Sequence, residues 1–169
     1  MSRGETRDAH REVNQMCLLP RDRLSHTSLT MGTRSRIGKQ LADGSILSVY
    51  CHYDGYPEFN GRVLRDYFST SEKVSDLIDG GDMSCTWTNA GWNNETLEEN
   101  GPLHYTSRGE SIVNNAPTLH DSMMNFLEDG EEFGYVFANG EWTCYDTKTW
   151  SDTYKQQVAI PAGGITDGN

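Results

Sequence analysis

Between Phe133 and Tyr145 the chain reads FGYVFANGEWTCY. Two runs of strand-forming residues flank Asn139-Gly140, and the central positions of a two-residue type I′ turn both need a positive φ, which Asn and Gly tolerate best. The turn therefore predicts a hairpin register, with Phe137 opposite Trp142 and Tyr135 opposite Cys144. Side chains alternate along a strand, so the register also assigns each residue to a face. Any fold open to this chain has to contain this hairpin and bury one side of it.

A second hairpin is expected from Ser35 to Leu41 and Ile46 to Tyr53, around Ala42-Asp43-Gly44, with Gly44 in the left-handed conformation of a three-residue loop. Ile37 then lies opposite Val49, Arg36 opposite Tyr50, Ser35 opposite Cys51 and Arg34 opposite His52. Leu47, Val49, Cys51 and Tyr53 share the face read as core. Ser48, Tyr50, His52 and Asp54 share the other, where Arg34 and Arg36 converge on them. A two-residue Asp-Gly turn is the competing register and would move Arg36 to the opposite face. The three-residue loop is preferred because it sets apolar against apolar.

Pro57 suits the first turn of a helix reaching about Phe68, with Val63, Leu64, Tyr67 and Phe68 as its buried stripe. Gly61 inside that helix costs about 1 kcal/mol relative to alanine, which close packing or a ligand would explain. Ser69 and Glu72 have capping-box spacing before KVSDLID, whose Val74, Leu77 and Ile78 share one side and whose end falls at Gly80-Gly81. Asp82 to Asn100 shows no period and reads as a long loop, a candidate lid. Thr118 is read as the cap of a third helix, LHDSMMNFLEDG, with Leu119, Met123, Phe126 and Leu127 inward and Gly130 as its stop.

The expected fold is therefore α+β: two β-hairpins in one antiparallel sheet with about three helices packed mainly on one face. A chain of 169 residues suits one domain, assigned to residues 31–150. Residues 1–30 lack a sustained apolar period and read as a disordered arm, with Met31 as a candidate internal start. Residues 151–169 read as a mostly irregular tail. No window approaches the roughly 18 apolar residues of a membrane span, and no signal-peptide core opens the chain, so a soluble cytoplasmic protein is expected. Cys17, Cys51, Cys85 and Cys144 have neither a C-x-x-C pair nor zinc-ligand spacing, and four reduced thiols are expected.

Charge is unevenly spread. Residues 66–169 carry four basic side chains against eighteen acids, a net of −14 in a chain whose total is −11. Non-specific nucleic-acid binding is disfavoured, because neutralising phosphates needs a basic surface. Acids on a small domain keep it soluble. An acidic face that imitates nucleic acid toward a basic partner is the sharper alternative.

The run YCHYDGYPEFNG, Tyr50 to Gly61, concentrates the polar chemistry of the chain. Arg34 and Arg36 can grip a phosphate or carboxylate while Tyr50, Tyr53 or Tyr56 stacks on a base, with Arg108 and Glu110 of SRGE joining from the other half of the fold. The candidate ligand-binding set is Arg34, Arg36, Tyr50, His52, Asp54, Tyr56, Glu58 and Arg108. The alternative is a small metal-assisted hydrolase in which His52, Asp54 and Glu58 supply one imidazole and two carboxylates. Cys51 and His52 are strand neighbours on opposite faces, so a nucleophile–base pair is disfavoured. No phosphate-binding glycine loop is present. These residues also have a purely structural reading: Asp54 organises the turn at Gly55, the arginines pair with acids, and the tyrosines pack helix on sheet. No cofactor, metal or catalytic residue is assigned.

MGTRSRIG at Met31 to Gly38, YCHYDGYPEFNG at Tyr50 to Gly61, YTSRGE at Tyr105 to Glu110 and EEFGYVFANGEW at Glu131 to Trp142 resemble blocks of a family of small bacteriophage-encoded proteins. The resemblance runs from Met31 to Tyr145 and implies a phage accessory context in the infected host, with no chemistry attached. Small acidic proteins in that setting act by binding a host or defence component, which is the partner class it implies.

Overall fold

A computed structural model describes residues 32–88 and 100–165. The expectations for residues 1–30, and for most of the candidate lid, lie outside the described residues. The first hairpin pairs β1 (Ser35–Gln40) with β2 (Ile46–Cys51), with Ile37 opposite Val49 and Arg36 opposite Tyr50. Its loop is the three-residue one: the Leu41 amide donates to the Ser45 carbonyl at 2.8 Å, and Gly44 has a φ of +88°.

After β2 comes a π-helical turn, Pro57–Gly61, which runs into α1 (Arg62–Tyr67), followed by α2 (Ser71–Asp79). Val63, Leu64 and Phe68 are buried as the stripe requires. A Cβ on Gly61 would lie 3.1 Å from Ile160 and 3.4 Å from Tyr135, so packing explains this glycine. The cap of α2 is Thr70, whose Oγ1 accepts from the Lys73 amide at 3.3 Å, one residue later than the Ser69 read from the capping-box spacing.

β3 (Met83–Cys85) runs parallel to β2, which corrects the loop expectation for those residues. All three are buried, so no polar alternation marks them as a strand. β4 (Leu103–His104) pairs with β3, and two short 3₁₀ turns, Tyr105–Arg108 and Ile112–Asn114, lead to β5 (Thr118–His120). β5 lies antiparallel against β2, so Thr118 is a strand residue and not a helix cap. The third helix, α3, spans only Met123–Glu128 and is capped by Ser122. Leu119 is accordingly 56 % exposed instead of inward, while Phe126 and Leu127 are buried as expected.

β6 (Phe133–Ala138) and β7 (Glu141–Asp146) form the Asn-Gly hairpin with Phe137 opposite Trp142 and Tyr135 opposite Cys144. Asn139 and Gly140 have φ of +52° and +82°. β8 (Gln157–Val158) then adds to β7.

Among the described residues the strands make one mixed eight-stranded sheet in the order β4-β3-β2-β1-β6-β7-β8, with β5 on the remaining edge of β2. The fold is α+β and both hairpins lie in one sheet. The correction is at their junction, because β1 and β6 run parallel, with Ser35 opposite Phe133 and Arg36 opposite Gly134. The larger apolar cluster lies on the face of Ile37, Val49, Cys51 and Tyr135 and is covered by α1 and α2. A smaller cluster on the opposite face joins Ile46 and Val136 to Phe126 and Leu127 of α3.

Residues 157–165 are tied to the domain. Val158, Ile160 and Ile165 pack on the larger cluster, and Arg62 and Arg65 donate to the carbonyls of Pro161, Ala162, Gly163 and Gly164. Cys51 and Cys144 are free and buried. Cys85 is disulfide-bonded, against the expectation of four reduced thiols. No helix among the described residues is long and apolar enough to cross a membrane.

Candidate functional site

The face that carries α3 is apolar only at one end. Toward the other end of β1 and β2 it becomes polar, because register places Arg36 and Tyr50 side by side there. The parallel pairing of β1 with β6 then brings the acidic residues before β6 alongside the arginines. Arg34 Nε lies 3.5 Å from Glu132 Oε1 and Nη1 lies 3.9 Å from Glu131 Oε2. Arg36 Nη2 lies 3.8 Å from Asp129 Oδ2, and its Nη1 donates to Ser48 Oγ at 3.2 Å. Arg108, across the sheet edge, pairs with Glu110 at 3.4 Å and stands 5.3 Å from the Tyr105 ring centre.

Tyr50 is held at both ends. Its amide donates to Asp82 Oδ1 at 2.8 Å, and its phenol oxygen shares a hydrogen bond with His52 Nδ1 at 2.6 Å. Burial pushes the phenol up to about 12, helped by the Glu131 carboxylate and opposed by Arg34. Burial pushes the Tyr105 phenol up, and the Tyr105 amide donates to the Asp82 carbonyl at 3.0 Å, so Asp82 joins Tyr105 to Tyr50. Burial also raises Asp82, while the Tyr50 amide and Arg36 act in the opposite direction. His52 is stacked edge-on against Tyr53, with ring centres 4.4 Å apart.

Asp54 is buried and left-handed, with φ of +66°. The chain stays hydrogen-bonded to β3 through Tyr53, whose amide donates to the Ser84 carbonyl at 2.8 Å, and then turns. The Gly55 amide donates to the Thr33 carbonyl at 2.8 Å, and the buried Tyr135 hydroxyl donates to the Gly55 carbonyl at 2.8 Å. Asp54 is thus the turn residue of the structural reading, since Asp is among the few residues that tolerate a positive φ.

Tyr56 and Glu58 belong to the other side of the sheet. The Tyr56 ring faces Phe59, which packs on the larger cluster, and the Glu58 charge acts on Tyr135 and Cys144 of that same face. The eight candidate residues therefore divide. Arg34, Arg36, Tyr50 and His52 share a face, Arg108 approaches through Tyr105, Asp54 shapes the backbone, and Tyr56 and Glu58 stand apart. Among the described residues no group of three or more His, Cys, Asp or Glu is placed to hold a metal ion, so His52, Asp54 and Glu58 do not assemble the ligand set of the hydrolase alternative.

Sequence reasoning missed Asp82, Ser48, His120, Asp129, Glu131 and Glu132. Ser48 was on the named polar face. The others come from segments that only the tertiary pairings β1–β6, β2–β3 and β2–β5 bring close. His120 Nε2 lies 2.7 Å from Ser48 Oγ and its Nδ1 lies 3.9 Å from Asp129 Oδ2. This resembles a serine–histidine–carboxylate arrangement, yet Ser48 is 0 % exposed and Arg36 already donates to its oxygen, so it offers no accessible nucleophile.

The arginines at this corner face a larger number of carboxylates: Arg34, Arg36 and Arg108 against Asp82, Glu110, Asp129, Glu131 and Glu132. The chain matches no family model, no curated protein and no solved structure.

Proposed function

We propose that the protein acts by binding a basic macromolecular partner through its acidic surface, with the Arg34/Tyr50/His52/Tyr105 corner as part of the contact. One observation carries this reading. Each arginine expected to grip an anion already has a carboxylate of the same chain within 3.4–3.9 Å, and the corner keeps an excess of negative charge. An entering phosphate would have to displace Glu131 and Glu132 from Arg34 and meet their repulsion. A lysine or arginine of a partner meets those carboxylates as attraction and the tyrosine rings as cation–π acceptors.

The setting we propose is that of a bacteriophage accessory protein acting on a host or defence component in the cytoplasm of the infected cell. The resemblance of its sequence blocks to those of small phage proteins is what supports it. The small-anion reading keeps one observation in its favour, that the Arg34 side chain is 39 % exposed at the mouth of the corner.

Isothermal titration with an arginine-rich peptide and, separately, with a nucleoside diphosphate discriminates the two. The expected result is peptide binding that weakens by about tenfold or more as salt rises from about 0.05 to 0.3 M, because exposed charges are screened beyond the Debye length. The paired reversal Glu131→Lys with Glu132→Lys should abolish it. Binding of the diphosphate alone, or peptide binding insensitive to salt, would overturn the proposal.

A further inference from the structure

We propose that His120 is a proton-controlled latch: it fastens β5 to the sheet while its imidazole is neutral and releases the strand when the ring takes up a second proton. The argument begins with how little else holds β5. The strand has three residues, of which Thr118 and Leu119 are exposed and His120 alone is buried. It pairs with β2 only through Ile46–His120, Leu47–Leu119 and Ser48–Thr118. Three-residue edge strands contribute little by themselves, so attachment falls on the one buried side chain.

The surroundings of that side chain are tightly constrained. Arg36 Nη1 donates to Ser48 Oγ at 3.2 Å, and the same oxygen lies 2.7 Å from His120 Nε2, while Nδ1 lies 3.9 Å from Asp129 Oδ2. A neutral imidazole meets the hydroxyl as donor or as acceptor, whereas a doubly protonated one can only donate. The second proton would therefore set two cations, the imidazolium and the Arg36 guanidinium, on either side of one hydroxyl oxygen that is 0 % exposed.

The charged groups acting on the ring are Arg36 from β1 and Asp129 from the end of α3; β2 contributes the Ser48 hydroxyl and α3 contributes the Phe126 ring, edge-on at 5.5 Å. Asp129 offsets only part of the repulsion, because its side chain is 58 % exposed and screened by solvent. Burial, then Arg36, accordingly hold His120 below the ordinary histidine value.

The sign follows from linkage. The unfastened segment binds the proton more readily than the fastened one, so docking is fully favoured above the ordinary histidine pKa of about 6.5 and weakens as pH falls below it. Release would uncover the Ile46–Ser48 edge of β2. The device would expose a sheet edge on acidification.

Amide hydrogen exchange of the full chain at about pH 7.5 and about pH 5, corrected for intrinsic rates, tests this. Protection over residues 118–120 should fall several-fold at the lower pH while α3, β6 and β7 keep theirs. His120→Gln should flatten the pH dependence. Asp129→Asn, at a position whose side chain is 58 % exposed, should increase the loss of protection at a given acidity only within residues 118–120, by removing the one anion that offsets the proton. Protection that is unchanged between the two pH values, or that falls equally in β6 and β7, would overturn the proposal.

Discussion

Tyr135→Phe is the most informative single change, because it deletes one oxygen from the core and nothing else. Tyr135 is 0 % exposed, and its hydroxyl donates to the Gly55 carbonyl 80 residues away in sequence at 2.8 Å. The ring stays, so no cavity term enters. What is lost is a buried hydrogen bond, and the cost is that of the carbonyl left unsatisfied in the interior, about 1–3 kcal/mol. About 2 kcal/mol is expected. With a urea m-value of about 2 kcal/mol/M, the denaturation midpoint should fall by about 1 M at unchanged m. The melting temperature should fall by about 4–8 °C. The loss should also be local, since this bond steadies the left-handed Asp54 turn: amides of His52, Tyr53 and Gly55 should exchange faster before those of β6 and β7 do. A midpoint within about 0.2 M of the parent would refute the reasoning, because it would mean that the Gly55 carbonyl is equally well satisfied without Tyr135.

Two further expectations concern stability. Asp146 is buried; that burial would raise its carboxyl, but Thr153, Ser151 and Lys148 hydrogen-bond to it and hold it well below the usual carboxylate range. Its contribution is thus present above about pH 4 and lost as pH falls below that, and Asp146→Ala should cost about 3–5 kcal/mol in urea denaturation at neutral pH while flattening the acid limb. Gly81 has a φ of +83°, and a Cβ there would collide with the Asn115 carbonyl oxygen. Gly81→Ala should therefore destabilise by more than about 2 kcal/mol by thermal melting, whereas an equal or higher melting point would refute the steric account.

What was legible in the sequence was local. Gly44 and Asn139-Gly140 set both hairpin registers because their turns demand a positive φ that few other residues adopt. The stripe of α1 and the inward residues of α2 followed from helical period. Thr118 and Ser122 are both good caps, and only the vacant edge of β2 decides between them: it takes up Thr118–His120 as a strand and leaves the helix to begin at Ser122. The candidate site was legible to the same depth. Arg36 opposite Tyr50 is a hairpin fact, while Asp129, Glu131 and Glu132 reach the arginines through a parallel pairing of β1 with β6 across almost a hundred residues, for which spacing carries no signal. Reading the arginines without these partners made an anion pocket look more open than the folded chain leaves it.

The way Asp82 meets β2 bears on how the molecule behaves when crowded. Tyr50 sits between the stretch of β2 that pairs with β5 and the stretch that pairs with β3, and there a carboxylate takes its amide proton in place of a strand. A strand from another molecule that tried to extend the sheet at this point would find the donor occupied and a negative oxygen where it must bring its own carbonyl. Filling the interval with a charged side chain, and not with more backbone, closes a template for aggregation using one residue.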